Sequence, residues 1–207
     1  MTRRLPRLHA VTTHEVLARP GFACTAVAAG EGGPLAVHLR DRSAFGRHLS
    51  ALARRLTAPP SSVTVLLNDR VDVALAEGLG VHLPADGLPI AAARRLLGTG
   101  PLVGRSTHSV SEVRKAFDEG ADYVFLGPVW STASHPNRPG LGLDVVAAAV
   151  TDAAGPVIAI GGITTAQVPA CLEAGAYGVA AIRAIWDRSD PAASVAAFRV
   201  LLPSLDD

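Results

Sequence analysis

The stretch Val157-Ile-Ala-Ile-Gly-Gly-Ile163 is an apolar run of strand length that ends on two glycines. A second run, Val179-Ala-Ala-Ile-Arg-Ala-Ile185, follows after one helical segment. Two such runs late in a chain of alternating strands and helices indicate the last strands of a barrel, whose mouths commonly form a phosphate site. Glycine N–H groups can approach a phosphate because no Cβ intervenes, and the guanidinium of an arginine adds a positive charge with several N–H donors. We therefore predict phosphate-binding roles for Gly161, Gly162, Ile182 and Arg183; the alternative is a tight turn beside a surface arginine.

Working outward from these runs, eight strand patterns alternate with alanine- and leucine-rich helical patterns. The strands are predicted at Arg7–Thr12, Leu35–Leu39, Val63–Leu67, Gly80–Leu83, Leu102–Gly104, Tyr123–Leu126, Val157–Ile160 and Gly178–Ile182. The helices are predicted at Phe45–Leu56, Val71–Glu77, Ile90–Leu97, Ser111–Glu119, Leu143–Ala153, Thr165–Ala174 and Pro191–Leu202, with a first helix in Glu15–Ala29 that Pro20-Gly21 interrupts. We predict helix starts at Ser111 and at Asp190-Pro191. The pattern predicts a single (β/α)8 TIM barrel over residues 1–207, with a doubly wound open sheet as the alternative.

Composition narrows the function classes. The 207 residues suit one domain, and because 49% are hydrophobic but only 4% aromatic, aliphatic side chains must build the core. The net charge of +1 gives no bulk attraction to nucleic acid or a membrane surface. Cys24 and Cys171 fit no metal-ligand spacing and are expected to be reduced thiols. No apolar run predicts a membrane span or a signal peptide, so we expect a soluble cytoplasmic protein, with a homodimer as an open possibility.

Polar residues cluster where the predicted strands end, which is where TIM barrels place their sites. They include Arg40, Arg42, Asn68, Asp69, His82, Ser106, His108 and Arg183, and two of the strands end on a glycine, Gly127 or Gly161. One connection, Pro128–Gly142, is long for a strand-to-helix loop and carries Thr132, Ser134, His135 and Arg138. Long loops in compact domains tend to be lids or binding loops.

An ordered set of short motifs carries a resemblance that spans nearly the whole chain. The motifs are His9-Ala-Val-Thr12, Val37-His-Leu-Arg-Asp-Arg42, Leu67-Asn-Asp-Arg-Val-Asp-Val-Ala-Leu75, Gly104-Arg-Ser-Thr-His-Ser109, Ala121-Asp-Tyr123, Gly127-Pro-Val129 and Ala159-Ile-Gly-Gly-Ile163. Their order resembles the thiamine phosphate synthase/TenI family. The resemblance implies a (β/α)8 barrel that acts on phosphorylated thiazoles. It implies one of two activities: an Mg²⁺-dependent synthase joining hydroxymethylpyrimidine diphosphate to thiazole phosphate, or a metal-free TenI-type tautomerase of a thiazole carboxylate phosphate.

The match to the synthase pattern is partial. Asp69 occupies the first metal-ligand position, but Gly87 stands where the second carboxylate is expected, with Asp86 one residue earlier. The synthase usually has glutamine, arginine and lysine where this chain has His38, Arg40 and Arg42, and its diphosphate loop has a lysine at the position of His135. These departures fall on the pyrimidine diphosphate side, so the sequence favours the tautomerase, with no cofactor and a phosphorylated thiazole as ligand.

A tautomerase needs a group that can take and return a proton near neutral pH, for which histidine is suited. We predict His135 or His108 in this role; Pro128 stands where the TenI pattern has its own histidine. His9 and His82 lie inside strands and are expected to be hydrogen-bonded barrel residues. The predicted substrate-binding residues are His38, Arg40, Arg42, Asn68, Ser106, Thr132 and Ser134. The alternatives are a synthase with Asp69 and Asp86 on Mg²⁺, and a non-catalytic barrel that binds a phosphorylated metabolite.

Overall fold

The computed structural model describes residues 5–132 and 139–205, which form eight parallel strands closed into a barrel. The strands are β1 Leu8–Val11, β2 Ala36–Leu39, β3 Thr64–Asn68, β4 Gly80–Leu83, β5 Val103–Thr107, β6 Tyr123–Leu126, β7 Val157–Ile160 and β8 Gly178–Ala181. Each pairs with the next along the chain, and β8 closes on β1 through the pairs from Leu8↔Val179 to Ala10↔Ala181. The predicted (β/α)8 barrel is therefore confirmed, and an open doubly wound sheet is excluded.

Helices surround the barrel in the described ranges. They are α1 His14–Leu17, α2 Phe22–Gly30, α3 Gly46–Thr57, α4 Val71–Glu77, α5 Ile90–Leu97, α6 Val110–Asp118, α7 Leu143–Thr151, α8 Val168–Glu173, α9 Arg183–Trp186 and α10 Pro191–Arg199, with a 3₁₀ turn at Thr165–Gln167 before α8. The predicted interruption near Pro20 is confirmed, because Gly21 adopts φ 77° between α1 and α2. The predicted start of α10 is confirmed too: the Ala193 N–H donates to Asp190 Oδ1 (2.9 Å).

Several predicted boundaries differ from those of the structure by one to three residues, and two of these differences have a clear physical reason. Helix α6 begins after Ser109, not at Ser111, because the Ser109 backbone is extended and its hydroxyl accepts the Glu112 N–H of the first turn. Strand β5 runs to Thr107, not Gly104, because β6 offers partners along its full length, including the pair Ser106↔Phe125. Ser106 therefore lies within the barrel wall near its carboxyl end.

The core has two layers. Outward-facing aliphatic side chains such as Leu8 and Ala10 pack beneath the helices. A separate inner cluster fills the barrel: Leu5, Val11, Ala36, Leu66, Tyr123, Phe125, Ile158 and Ala180. The same interior holds His9, His38 and His82, whose ring centroids lie 4.1 to 5.3 Å from that of Phe125. Filling a barrel with three histidines is costly unless each ring nitrogen finds a partner.

The two cysteines are free thiols, as predicted: Cys24 is exposed and Cys171 is buried. Burial raises the pKa of the Cys171 thiol to about 11, which keeps it protonated and unreactive at neutral pH. Within residues 5–132 and 139–205, no helix has the length and apolar character needed to cross a bilayer.

Candidate active site at the barrel mouth

A cleft of about 340 Å³ opens at the carboxyl ends of β2, β3 and β4. The residues that line it are Asp41, Arg42, Asn68, Asp69, Arg70, Pro84, Asp86 and Gly87. The structure thus brings together four residues predicted from the sequence: Arg42, Asn68, Asp69 and Asp86. It also adds Arg70 and Asp41, which the sequence analysis did not select.

Asp69 has a strained backbone at the centre of this cleft. Its φ of 60° is the left-handed conformation that non-glycine residues rarely adopt. The strain is offset in part because the Asp69 N–H donates to the His82 carbonyl of the neighbouring strand (3.0 Å). The side chain itself is exposed. Such backbone strain concentrates at functional sites, where it aims a side chain that regular structure would turn elsewhere.

The loop from β4 to α5 carries Asp86 and is held from below by Arg105. This buried guanidinium donates to the carbonyl oxygens of Pro84 (2.6 Å), Ala85 (3.3 Å) and Leu88 (2.6 Å). Burial lowers the pKa of Arg105, although the nearby charges of Glu119, Asp69 and Asp86 act against that shift. An arginine that satisfies three carbonyls fixes the loop, and with it the direction from which Asp86 enters the cleft.

The loop after β2 is organised by Asp41. Its Oδ1 accepts from the N–H and the hydroxyl of Ser43 (2.8 and 2.7 Å), and its Oδ2 accepts from His14 Nδ1 (2.7 Å). Burial alone would raise the pKa of Asp41, but the hydrogen bonds from Ser43 and His14 outweigh it and lower the pKa to about 2. A fixed, ionised Asp41 therefore anchors the turn on which Arg40 and Arg42 stand.

Several charged side chains of the rim are free of protein partners. Within the described residues, Arg40, Arg42, Asp69, Asp86 and Arg183 make no side-chain hydrogen bond or ion pair, whereas Arg70 is paired with Asp72 (2.8 and 2.7 Å). Burial and the neighbouring charge of Arg42 lower the pKa of Arg40. Unpaired cations and carboxylates on one rim suit a ligand that carries phosphate groups together with a divalent cation.

Below the cleft, two buried histidines connect the barrel floor to Asn68. His9 Nε2 lies 2.9 Å from the Pro6 carbonyl oxygen, and His9 Nδ1 lies 2.9 Å from His38 Nε2. His38 Nδ1 lies 3.1 Å from Asn68 Oδ1 at the end of β3. His38 is fully buried, so it can influence a ligand only through Asn68.

A second buried pair runs from the interior to Ser106. His82 Nδ1 lies 3.0 Å from the Tyr123 hydroxyl, and His82 Nε2 lies 2.9 Å from Ser106 Oγ. The Tyr123 ring occupies the space beside Gly104, where a Cβ would lie 2.1 Å from its Cζ. The prediction that His9 and His82 are hydrogen-bonded barrel residues is confirmed.

Burial keeps all three interior histidines neutral. Desolvation lowers the pKa of His38 to about 3. Desolvation, reinforced by the neighbouring imidazoles, holds the pKa values of His9 and His82 well below the ordinary range. None of the three can serve as a proton shuttle for a ligand in the cleft, because they are enclosed and their ring nitrogens are occupied.

The predicted phosphate glycines are packed tightly against the loop after β6. Gly161 and Gly162 have φ of 101° and 70°, and added Cβ atoms would meet Pro128 Cβ at 2.5 Å and Trp130 Cβ at 2.7 Å. The Trp130 N–H donates to the Gly161 carbonyl (3.1 Å), extending the pairing of β6 and β7 into the mouth. The glycines are thus required by this close contact, whatever ligand they meet. Half-buried Ile182 and exposed Arg183 stand at the start of α9, after the neighbouring strand β8.

Of the residues predicted to move protons, His108 lies on the rim. It is exposed, and its Nδ1 donates to the Gly127 carbonyl oxygen, so Nε2 is the ring nitrogen left without a partner among the described residues. Thr132 Oγ1 is buried without a hydrogen-bond partner among the described residues. Ser134, His135 and Arg138 lie outside the described residues, so their predicted roles stay predictions.

Sequence reasoning missed Arg70, Asp41 and Arg105. Arg70 directly follows the Asn68-Asp69 pair, and Asp41 stands between Arg40 and Arg42, so position next to selected residues was the available signal. Arg105 carried a different signal, a cation inside a strand pattern, which is costly unless the guanidinium is satisfied.

The fold and the rim charges define a TIM barrel whose mouth suits an anionic, phosphorylated ligand. Comparison with known proteins identifies the family. The profile of the family described as thiamine monophosphate synthase matches residues 8–185, and the chain belongs to this family.

Similar proteins carry names that match this family. A putative thiamine-phosphate synthase of Geobacter sulfurreducens is 43% identical over 177 residues, covering 83% of each chain. A thiamine-phosphate synthase of Methanoculleus marisnigri is 40% identical over 195 residues, covering 91% of this chain and 92% of that one. Among solved structures, thiamine phosphate pyrophosphorylase from Pyrococcus furiosus superposes with a TM-score of 0.76 at 27% identity and covers 94% of both chains.

Proposed function

We propose that this protein is a thiamine-phosphate synthase that joins hydroxymethylpyrimidine diphosphate to thiazole phosphate and releases pyrophosphate. One observation carries the proposal: Asp69 and Asp86, from separate loops, border the same cleft beside Arg42, and none of the three has a side-chain partner among the described residues. The names of the relatives support the same activity. Together they favour the synthase over the tautomerase that the sequence alone favoured.

In this reaction the bond from the pyrimidine methylene carbon to the diphosphate oxygen breaks, and its electron pair leaves with pyrophosphate. The thiazole nitrogen supplies the electron pair for the new carbon–nitrogen bond. Negative charge therefore collects on the leaving group, and preorganised cations stabilise it best because they need no reorganisation. Arg40 and Arg42 stand on a turn that Asp41 fixes, so they are suited to this role.

The cleft also fits a divalent cation. Carboxylate oxygens are the ligands that Mg²⁺ prefers, and Asp69 and Asp86 offer them from opposite loops. Asp86 would take over from the neighbouring position 87, where glycine replaces the expected carboxylate. When bound, Mg²⁺ would neutralise part of the charge on the diphosphate. The described residues contain no group of three or more histidine, cysteine or acidic side chains poised for a metal, so substrate oxygens and water would complete the shell.

The test is product formation from both substrates, with Mg²⁺ and after chelation. We expect activity that requires the cation and falls at least about tenfold in Asp69→Asn and in Asp86→Asn, the size typical of lost metal-site contacts. Asp118→Asn, at the exposed far end of α6, is the matched control and should retain full activity. Undiminished activity in chelator, or in both cleft variants, would refute the proposal.

A metal-free thiazole tautomerase is the second candidate. It is favoured by Gly87 at the expected carboxylate position and by exposed His108, whose Nε2 has no partner among the described residues. In that case His108 would remove a proton from the thiazole ring and return it to another ring position. Aromatisation in the absence of Mg²⁺, abolished by His108→Gln and unaffected by Asp69→Asn, would establish this activity instead. Turnover in neither assay would leave a phosphometabolite-binding barrel.

A further inference from the structure

The buried chain of polar groups beneath the cleft has a fixed direction, and its starting point is the Pro6 carbonyl. A carbonyl oxygen can only accept, so the His9 Nε2 that lies 2.9 Å away must carry the proton. A neutral imidazole has one N–H, which leaves His9 Nδ1 as an acceptor. The proton between His9 and His38, across 2.9 Å, therefore belongs to His38 Nε2.

The same reasoning passes through His38 to Asn68. With its single proton on Nε2, His38 presents Nδ1 as an acceptor toward the Asn68 amide, 3.1 Å away. An amide offers an acceptor on one side and two donors on the other, and a half-turn about its last bond exchanges them. Only the orientation with the NH₂ group toward His38 makes a hydrogen bond. The carbonyl oxygen of Asn68 then faces the cleft that Asn68 lines.

Two other arrangements are less favourable. Reversing the chain would set His9 Nε2 against the Pro6 carbonyl with two acceptors facing each other in the interior, which leaves a buried group unsatisfied. A doubly protonated His38 would satisfy both neighbours, but it would be a fully buried cation whose ring nitrogens meet only His9 and Asn68, with no carboxylate among their partners.

We propose that His9 and His38 are positioning residues that hold the Asn68 amide with its nitrogen inward and its oxygen toward the mouth. Asn68 then accepts a hydrogen bond from an N–H or O–H of the ligand and does not donate to its phosphate or carboxylate oxygens. The proposal rests on the proposed function for its ligand, an aminopyrimidine diphosphate. It assigns this position to the ring and leaves the diphosphate to the arginines.

The protonation pattern can be read without any substrate. We would label the histidines of the full-length protein with ¹⁵N and record long-range ¹H–¹⁵N correlations, which distinguish the two neutral tautomers. His9→Leu and His38→Gln assign the signals by their disappearance. We expect both His9 and His38 to carry the proton on Nε2; a proton on Nδ1 of either ring, or a charged His38, overturns the proposal.

A second measurement tests whether the orientation of the Asn68 amide affects ligand binding. In His9→Leu the constraint from Pro6 is gone, so His38 can move its proton to Nδ1 and turn the Asn68 amide. We expect that change of tautomer, with binding of the aminopyrimidine diphosphate weakened about five- to tenfold, the loss of one hydrogen bond. Inorganic pyrophosphate, which has no ring, should bind with an affinity changed less than about twofold, because its sites on the arginines are intact. Equal weakening of both ligands would overturn the proposal.

Exposed His48 on α3 provides the matched control, and His48→Leu should leave the tautomers of His9 and His38 and both affinities unchanged. Should His9→Leu fail to fold, the tautomers of the unmodified protein still decide the question. The two hypotheses fail separately. The predicted tautomers without turnover would refute the synthase activity but support the positioning role of His9 and His38. Turnover with the opposite tautomers would support the synthase activity and refute that positioning role.

Discussion

Arg105 Nη1 donates to the Pro84 carbonyl oxygen at 2.6 Å, tying β5 to the loop that carries Asp86. Its second nitrogen reaches Leu88 on the far side of the same loop (2.6 Å). Within the loop, the Gly87 N–H donates to the Pro84 carbonyl oxygen (3.0 Å). A buried side chain of β5 therefore determines where a carboxylate of the neighbouring β4 loop stands.

Replacing Arg105 by lysine should impair activity more than folding. Lysine keeps the charge but cannot span both carbonyl groups, and hydrogen bonds to charged groups contribute about 1.5–3 kcal/mol. We expect the kcat/KM of the proposed synthase reaction to fall about tenfold or more, with the KM for Mg²⁺ raised, as steady-state kinetics over a Mg²⁺ series would measure.

Arg94→Lys is the control for that substitution. Arg94 braces the opposite end of the barrel, donating to the Pro101 carbonyl (2.8 Å) and to Asp122 (2.6 Å). Its replacement should lower the melting temperature without changing the Mg²⁺ dependence. Equal kinetic effects of the two substitutions would mean that Arg105 acts through general stability alone.

Gly161→Ala should destabilise the protein strongly. An added Cβ would lie 2.5 Å from Pro128 Cβ and 2.6 Å from its Cα, and the φ of 101° is itself unfavourable for alanine. Gly120→Ala isolates the second cost, because Gly120 has a similar φ of 94° but open space around its Cβ direction. We expect a loss of unfolding free energy of about 1–2 kcal/mol for Gly120→Ala and at least about 1 kcal/mol more for Gly161→Ala. Urea denaturation measures both, and equal losses would contradict the packing role.

His38→Gln should make the protein less sensitive to acid. The pKa of His38 is lowered to about 3 by burial, so below the ordinary value of 6.5 the unfolded chain takes up a proton that the folded state refuses. Stability is therefore lost as the pH falls from about 6.5 toward 3, by up to about 1.4 kcal/mol per pH unit from this one residue. Glutamine can bond to both His9 and Asn68 but does not titrate. Unfolding free energies from pH 7 to 4 should fall less steeply in the variant; identical slopes would count against a neutral His38.

The barrel was predictable because its signals are local and repeated. The apolar runs that became β4, β6 and β7 were located to the residue, since turn residues or helix signals bound each of them. Strand β5 was predicted too short because Arg105, Ser106 and Thr107 are polar. The partners of Arg105 and Ser106 lie on β4 and its loop, and the Thr107 hydroxyl donates to the Phe125 carbonyl oxygen of β6. Polar residues in a strand are explained only by partners that are distant in sequence.

The site was predictable as a set of positions but not as a set of contacts. Asn68, Asp69 and Arg42 were predicted because each lies at or just after the end of a strand, and the barrel topology brings them into one cleft. The hydrogen-bonded chain from Pro6 through His9 and His38 to Asn68 could not be foreseen, because it requires a side chain of β1 to contact a side chain of β2 inside the barrel. The tight fit of Gly161 against Pro128 likewise depends on the path of another loop, whereas the sequence indicated only that glycine was needed there.

Asp41→Asn should remove a pH-dependent contribution in a more acidic window than that of the histidines. Hydrogen bonds from Ser43 and His14 overcome the burial of this carboxylate and lower its pKa from 3.8 to about 2. A lowered pKa means that the stabilisation is complete above about pH 4 and is lost as the pH falls toward 2, because the unfolded chain binds the proton first. Solvent near the rim screens the interaction, so we expect roughly 1 kcal/mol at neutral pH. The difference in unfolding free energy between the unmodified protein and Asp41→Asn should shrink between pH 4 and 2, while the contribution of the interior histidines His9, His38 and His82 cancels because none of them contacts Asp41. A constant difference over that range would show that Asp41 stabilises its turn through hydrogen bonds alone, independent of its charge.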